Sequence, residues 1–417
     1  MSTSTPAPAI PGTALRGGAF RALAHRNFAL FFWGQFISIV GTWSQMLAVS
    51  WLIWRMTGSA LWLGIANFAL HVPCIFLGLP AGHIADRHDR LRLLTFMQAL
   101  CMLQAILLAW LTLTGAVKLW QVIGLGFFLG SVYAFEMPIR QAFVMDLVGK
   151  RDLLGAISLV AAMFHFTRML GPTVAGAIVA WKGEGVCFAF NAVTFLALIA
   201  ALMLVRRGQM HSPARTTEPM LRSIKEGLRE AKRITDAIPS LALVALLAGI
   251  GMQFTTLLPM FADRVLHGGA VELGWLMGAS GAGSLAGALW LARRKSSEGL
   301  FPLTARMAIL FSATLILLGL ISSFIAALPA IFMMGLTLTI AFSCVGTLLQ
   351  NEAGDHMRGR MMSLYTVTFM GFFPFGSLAA GILARSYGSQ ATISGAGIIC
   401  LIASAAIWGK ARRRTIA

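Results

Sequence analysis

Along the chain, apolar residues gather in blocks of roughly 20, the length a helix needs to cross the hydrocarbon of a bilayer. Polar or basic clusters separate the blocks. Twelve spans can be drawn, at 27–54, 60–82, 92–114, 119–140, 153–181, 186–205, 239–266, 272–292, 302–324, 328–350, 361–384 and 391–408. Each is predicted to be a helix, because a segment in lipid must satisfy its own backbone N–H and C=O groups. An even number of crossings puts both termini on one side. On that side fall Arg87, Arg90, Arg92, Arg140, Lys150, Arg151, Arg293, Arg294, Arg358, Arg360 and the basic end, Lys410 to Arg414. Opposite them stand only Arg55, Lys118, Lys182, Arg264 and Arg385. Cytoplasmic loops carry the excess of Lys and Arg, so both termini are expected in the cytoplasm.

The widest polar break, 206–238, leaves six spans on each side. Within it Leu221, Ile224, Leu228 and Ile234 recur at helical spacing among Arg222, Lys225, Arg229, Lys232 and Arg233. That pattern predicts a surface helix lying on anionic lipid, with a regulatory protein-binding site as the alternative. The two sets of six also resemble copies of one unit. Gly287-Ala-Leu-Trp-Leu291-Ala-Arg293 answers Gly82-His-Ile-Ala-Asp86-Arg-His at 287 − 82 = 205, and Gly376 and Gly381 answer Gly171 and Gly176 at 376 − 171 = 205. The expected division is a flexible tail at 1–26, a six-helix bundle at 27–205, a central loop at 206–238, a second bundle at 239–409 and a basic tail at 410–417. Two such bundles suit a transporter that rocks about a site at the repeat interface. Leu291 takes the place of Asp86 in the second copy, so only the first can make a charged contact there.

Composition agrees with a polytopic membrane protein, with 58% apolar and 12% charged residues among 417 and a mean hydropathy of +0.78, far from the globular balance. A net charge of +18 would suit nucleic acid, but the basic residues are spread between spans, and the charge reads as topology rather than as a nucleic-acid surface. The five cysteines sit inside apolar runs without paired metal spacing, so buried thiols are expected, with no metal centre and no cofactor. The chain has no phosphate-binding P-loop, His-x-x-x-His pair or Gly-x-Ser-x-Gly. Neither ATP-driven transport nor an enzyme is therefore expected, and active transport would draw on a gradient.

Polar residues inside the spans are the candidate chemistry. His165, Arg168, Pro172 and Gly176 fall along one face of the fifth span, while Gly171 and Pro172 offer a place to bend. Pro172 leaves the carbonyl of Arg168 without its helical N–H. A mid-membrane charge costs about 2.5–3.5 kcal/mol on insertion scales, so Arg168 should face the bundle interior or a wet cavity. Glu136 and Arg140 are spaced for an i,i+4 ion pair. The sharper reading of Glu136 is a protonatable carboxylate in the transport path. Gln35, Asn67 and Gln253 either hydrogen-bond a substrate or hold helices together. Gln35 and Gln253 form the preferred pair, because the first and seventh spans are equivalent in the two halves.

The charged turn between the second and third spans carries Gly82, Asp86, Arg87 and Arg90, in the pattern Gly-x-x-x-Asp-Arg-x-x-Arg. In that location it resembles motif A of the major facilitator superfamily, although Asp89 stands where the family more often has Gly. Arg168, Gly171, Pro172 and Gly176 resemble the superfamily's antiporter motif C. The segments Pro138 to Val148, Arg151 to Leu154 and Arg358 to Tyr365 resemble the branch that contains the enterobactin exporter. The resemblance implies an all-α membrane protein with twelve helices in two six-helix bundles. It implies that motif A locks the cytoplasmic side, with Asp86 against 361–363 and Arg87 or Arg90 paired to acids such as Asp146. It also implies that the fifth helix packs on the eighth, where Gly278, Gly283 and Gly287 permit close approach. Thr42 and Ser44 stand where proton-coupled relatives often have an acid. The expected function is a secondary active transporter of a bacterial inner membrane, monomeric, working by alternating access among membrane lipids. It would export a small amphipathic molecule, drug or siderophore, by proton antiport. The alternatives are a metabolite importer of the same fold and a non-transporting membrane scaffold or sensor.

Overall fold

The computed structural model describes residues 18–210, 228–294, 296, 298–354 and 357–416, without the side chains of 18–19, 79–87, 209 and 412–416. Half of the helix expected in the central loop, 221–227, and the side chains of Gly82, Asp86 and Arg87 therefore lie outside the described residues; the described half is helical only over 228–231 and then turns. Among the described residues every regular element is helical. The long helices are α1 (Arg26–Thr57), α2 (Ala60–Arg87) and α3 (Arg90–Leu113), then α4 (119–148), α5 (150–182) and α6 (Glu184–Met203). After the central loop come α7 (Ala237–Arg264), α8 (Ala270–Ala292), α9 (Leu300–Leu320), α10 (Phe324–Glu352), α11 (358–387) and α12 (389–416).

The breaks between these rods have local causes. α1 stops where Gly58 enters the left-handed region (φ 57°, ψ 17°) and its N–H reaches the carbonyl of Trp54, a glycine C-terminal cap. Asp89 starts α3 by accepting a hydrogen bond from the N–H of Arg92 at 3.1 Å, so two residues suffice to turn the chain. α4 and α5 follow without a loop, divided only by Gly149 (φ 68°, ψ 178°). Gly183 (φ 84°, ψ 174°) ends α5, and Gly388 (φ 79°, ψ 168°) ends α11 at the same repeat spacing, 388 − 183 = 205. Nine uninterrupted stretches among the described residues are long and apolar enough to cross a bilayer. Dividing two of them at Gly149 and Gly388, and adding the 23-residue α8 whose glycines dilute its apolar character, accounts for the rods named above.

α7 departs from the continuous span expected at 239–266. The helix breaks at Ile250 (φ −120°, ψ −51°) between two glycines and resumes after a short 3-10 turn, Gly251–Gln253. Gln253 repairs the break: its Nε2 donates to the carbonyl of Ala248 at 2.7 Å and to that of Phe373 on α11 at 3.2 Å. A side chain thus satisfies a carbonyl that the interrupted helix left without a partner.

The rods alternate in direction, so one end of the molecule carries the described chain ends and the turns at 88–89, 149 and 354–357. We call it the terminal face. The other end, the distal face, carries the turns at 58–59, 183, 265–269 and 388. α1–α6 pack mainly among themselves and α7–α12 among themselves, and the two sets meet along α5 with α8 and α2 with α11. A single apolar core runs through the second set and continues into the first through Leu52, Ile53, Leu63, Leu108, Val179 and Phe188. All of these lie near the distal face. The terminal half of the first set has a separate core around Phe28, Phe31, Phe143, Leu147 and Leu198. Burial of apolar surface therefore unites the halves at one end only.

Candidate functional site

Glycine makes the two inter-half seams possible. A Cβ on Gly176 of α5 would fall 2.6 Å from the carbonyl oxygen of Ala270, and one on Gly274 of α8 would fall 2.7 Å from that of Pro172. Only hydrogen fits at such a crossing. Next along α8, Gly278 faces Thr173 and Met169, and Gly281 faces Met169 and Arg168. Gly283 and Gly287 differ from expectation: they approach α10 at Phe332 and Leu336, not α5. Gly171 likewise packs on α1, beside Trp43 and Val40. Ser44 Oγ lies 2.8 Å from the carbonyl of Val40 and 2.9 Å from that of Gly171. α5 runs through Pro172 without leaving helical φ/ψ.

Arg168 sits where the α5 and α8 seam gives out. Its Nη2 is 3.5 Å from Ser280 Oγ on α8, and its guanidinium lies 5.6 Å from the ring centre of Trp43 on α1. Trp43 meets Phe164 edge to face at 5.5 Å, and Phe164 meets His165 at 6.0 Å. His165 Nδ1 is buried and has no hydrogen-bond partner. Guanidinium, imidazole and hydroxyl thus converge beside aromatic rings, between the halves and in the middle of the membrane-spanning layer. Trp43 and Ser280 complete this cluster. Ser280 carries no signal in a glycine- and alanine-rich helix.

The other expected site residues are dispersed. Asn67 Nδ2 donates to Thr256 Oγ1 on α7 at 2.9 Å, a cross-half bond nearer the distal face. Glu136 is buried, accepting from Gln98 Nε2 at 3.2 Å with Arg140 Nε at 3.4 Å, all within the first half. Gln35 and Gln253 are not brought together. Gln35 lies 57 − 35 = 22 residues from the distal end of α1, and Gln253 only 264 − 253 = 11 from that of α7, a difference in level of about 16 Å at helical rise. The α1 glutamine nearest the level of Gln253 is Gln45, tied to Gln104 and Asn191 at 2.9 Å each. At the terminal face Arg90 grips Asp146 with both carboxylate oxygens, at 2.9 and 3.1 Å. At the distal face Trp54 Nε1 donates to Asp263 at 3.0 Å, Arg264 donates to the carbonyl of Gly58 at 3.0 Å, and its guanidinium covers the Trp54 ring at 5.1 Å. This strap between α1 and α7 had no motif to announce it.

The family described as transmembrane secretion effector matches residues 17–415. The chain is a major facilitator transporter. It falls in the efflux and siderophore branch, and its relatives are transporters rather than enzymes. The staphyloferrin A transporter of Staphylococcus aureus is 27% identical over 89% of this chain and 93% of its own. The multidrug efflux pump Tap of Mycolicibacterium fortuitum is 28% identical over 84% and 88%. The enterobactin exporter EntS of Shigella boydii is 26% identical over 91% and 90%. A POT family transporter solved with 5-aminolevulinic acid superposes with a TM-score of 0.74 at 12% identity, over 93% of this chain and 96% of its own, which shows the fold alone. The major facilitator fold and a multi-pass membrane setting are thus shown.

Proposed function

We propose that this transporter works by alternating access, with 27–205 and 239–409 as the moving bodies joined by 206–238, and that it exports small amphipathic molecules by proton antiport. The observation that carries this reading is that the apolar core passes from one half into the other only near the distal face. Halves welded at both ends could not rock. The excess of basic residues on the terminal side favours a cytoplasmic terminal face, which makes this conformation the one closed to the outside. Relatives described as an efflux pump and an exporter support outward flux. In the opposite conformation Gly82, Asp86, Arg87 and Arg90 would seal the terminal face, with Asp86 against 361–363. Glu136 is the candidate proton carrier, being a buried carboxylate in reach of Gln98 and Arg140.

Spin-label pairs across the two faces test the reading in lipid. Distances across the distal face should lengthen as those across the terminal face shorten when substrate or a pH gradient is added. Distances at both faces that stay fixed while flux proceeds would sink it.

A further inference from the structure

We infer that the cluster around Arg168 is a subsite for an anionic group, so that the transported class includes amphipathic molecules bearing a carboxylate or similar anion on an apolar or aromatic body. This deepens the proposed transport reading and rests on it. The first half buries three acids, Glu136, Asp146 and Glu184, and each already has its own guanidinium. Arg140 is 3.4 Å from Glu136, Arg90 is 2.9 Å from Asp146 and Arg55 is 2.9 Å from Glu184. Among the described residues Arg168 has no acid within ion-pair distance. A mid-membrane cation without a counter-ion is costly, and an entering anion would relieve that cost.

The neighbours fit the same ligand. Ser280 Oγ, at 3.5 Å, is held only loosely by Arg168 and is placed to donate to a bound oxygen. His165, one turn away, brings a buried nitrogen without a partner. Trp43 and Phe164 offer ring surface for the apolar body. Arg168 belongs to the first half and Ser280 to the second, so one anion would touch both moving bodies. The surplus positive charge disfavours a cationic ligand at the same spot. The polar groups at the other seam, Asn67, Thr256 and His71, bring no negative charge.

Binding of 2-naphthoate, neutral 2-naphthamide and cationic 2-naphthylmethylammonium to the purified full-length protein tests the assignment, read by thermal shift and titration in chloride-free buffer. Wild type should bind naphthoate about tenfold to a hundredfold more tightly than naphthamide, the ratio expected of a charge-assisted hydrogen bond. Arg168→Gln should bring the two within about threefold, while Arg168→Lys should keep part of the preference, having the charge without the planar fork. Both variants must match wild type in size-exclusion behaviour, and Arg168→Lys carries the comparison if Arg168→Gln does not fold. Equal affinity of wild type for acid and amide overturns the inference, as does a preference that survives in Arg168→Gln. Saturation by chloride alone, with no further gain from naphthoate, also overturns it in favour of an inorganic ion. Flux of the amide or the ammonium in vesicles without any acid preference would leave the transport reading standing. Acid preference in binding without flux of any probe would keep the subsite and overturn the claim that such anions are transported.

Discussion

Where α5 crosses α8, a Cβ on Gly176 would lie 2.6 Å from the carbonyl oxygen of Ala270; where α11 crosses α2, one on Gly381 would lie 2.7 Å from that of Ala60. The reciprocal glycines agree as closely. Gly274 would meet the carbonyl of Pro172 at 2.7 Å and Gly64 that of Ser377 at 2.6 Å, with 377 − 172 = 205. Two turns farther toward the terminal face the likeness ends. α5 presents Arg168 over Trp43, while α11 presents Phe373 at the matching position, 373 − 168 = 205, with the His71 ring 4.8 Å away. The same holds for the buried acids of the first half: Ala341 answers Glu136 and Asn351 answers Asp146 at the 205 spacing. Backbone contact at the seams leaves room only for hydrogen and is kept in both copies. Side chains away from those crossings are free of that limit, and the buried acids and Arg168 have gathered in one copy.

If the seams are equivalent joints, Gly176→Val and Gly381→Val should each lower flux in vesicles by more than tenfold, to within about threefold of each other. The added methyl groups would press on backbone that cannot yield, and overpacking of this kind costs about 1–3 kcal/mol. A normal rate for either variant would break the comparison. The charged half should also be the more sensitive one. Asp146→Asn removes the carboxylate from the part-buried Arg90, a loss on the order of 3 kcal/mol, and should lower the unfolding midpoint by several degrees. Asn351→Ala, its counterpart in the other copy, should shift it much less in the same melting experiment. Glu136→Gln should abolish acceleration of flux by an imposed pH gradient while sparing downhill exchange. Persistence of that acceleration would remove Glu136 from the proton path.

The smallest effect concerns Asp236, just before α7, whose carboxyl is held above the usual range by partial burial. A raised folded-state value means that the ionised form is penalised in the fold, so the penalty is present above that value and fades as pH falls through it. Asp236→Asn should therefore raise the melting temperature slightly at neutral pH and make no difference in acid.

The sequence made the spans legible because a bilayer sets a length that few other environments impose, and the 205-residue repeat was legible because glycine seams tolerate no substitute. The rotation of each helix was not. Gly278, Gly283 and Gly287 share one helix and one residue type, yet the first faces α5 and the others α10. Helical spacing alone does not say which neighbour a face meets. Gln253 was unreadable for a different reason: its Nε2 answers a break in α7 that the uninterrupted apolar pattern conceals. Arg168 stood out because charge is so costly at that depth. Its partner Ser280 did not, since a serine among glycines and alanines is an ordinary packing residue.

The apolar weld at the distal end also determines what must happen for the molecule to turn over. Parting Leu52, Ile53 and Leu63 from the core of the other half exposes apolar surface, and the same motion must release the strap of Trp54 and Gly58 from Asp263 and Arg264. Most of the surface to be parted is packed hydrocarbon, as at a dry bearing, and lipid chains or the cargo's own apolar body can wet it as it separates. A cargo with more hydrocarbon would then lubricate its own release.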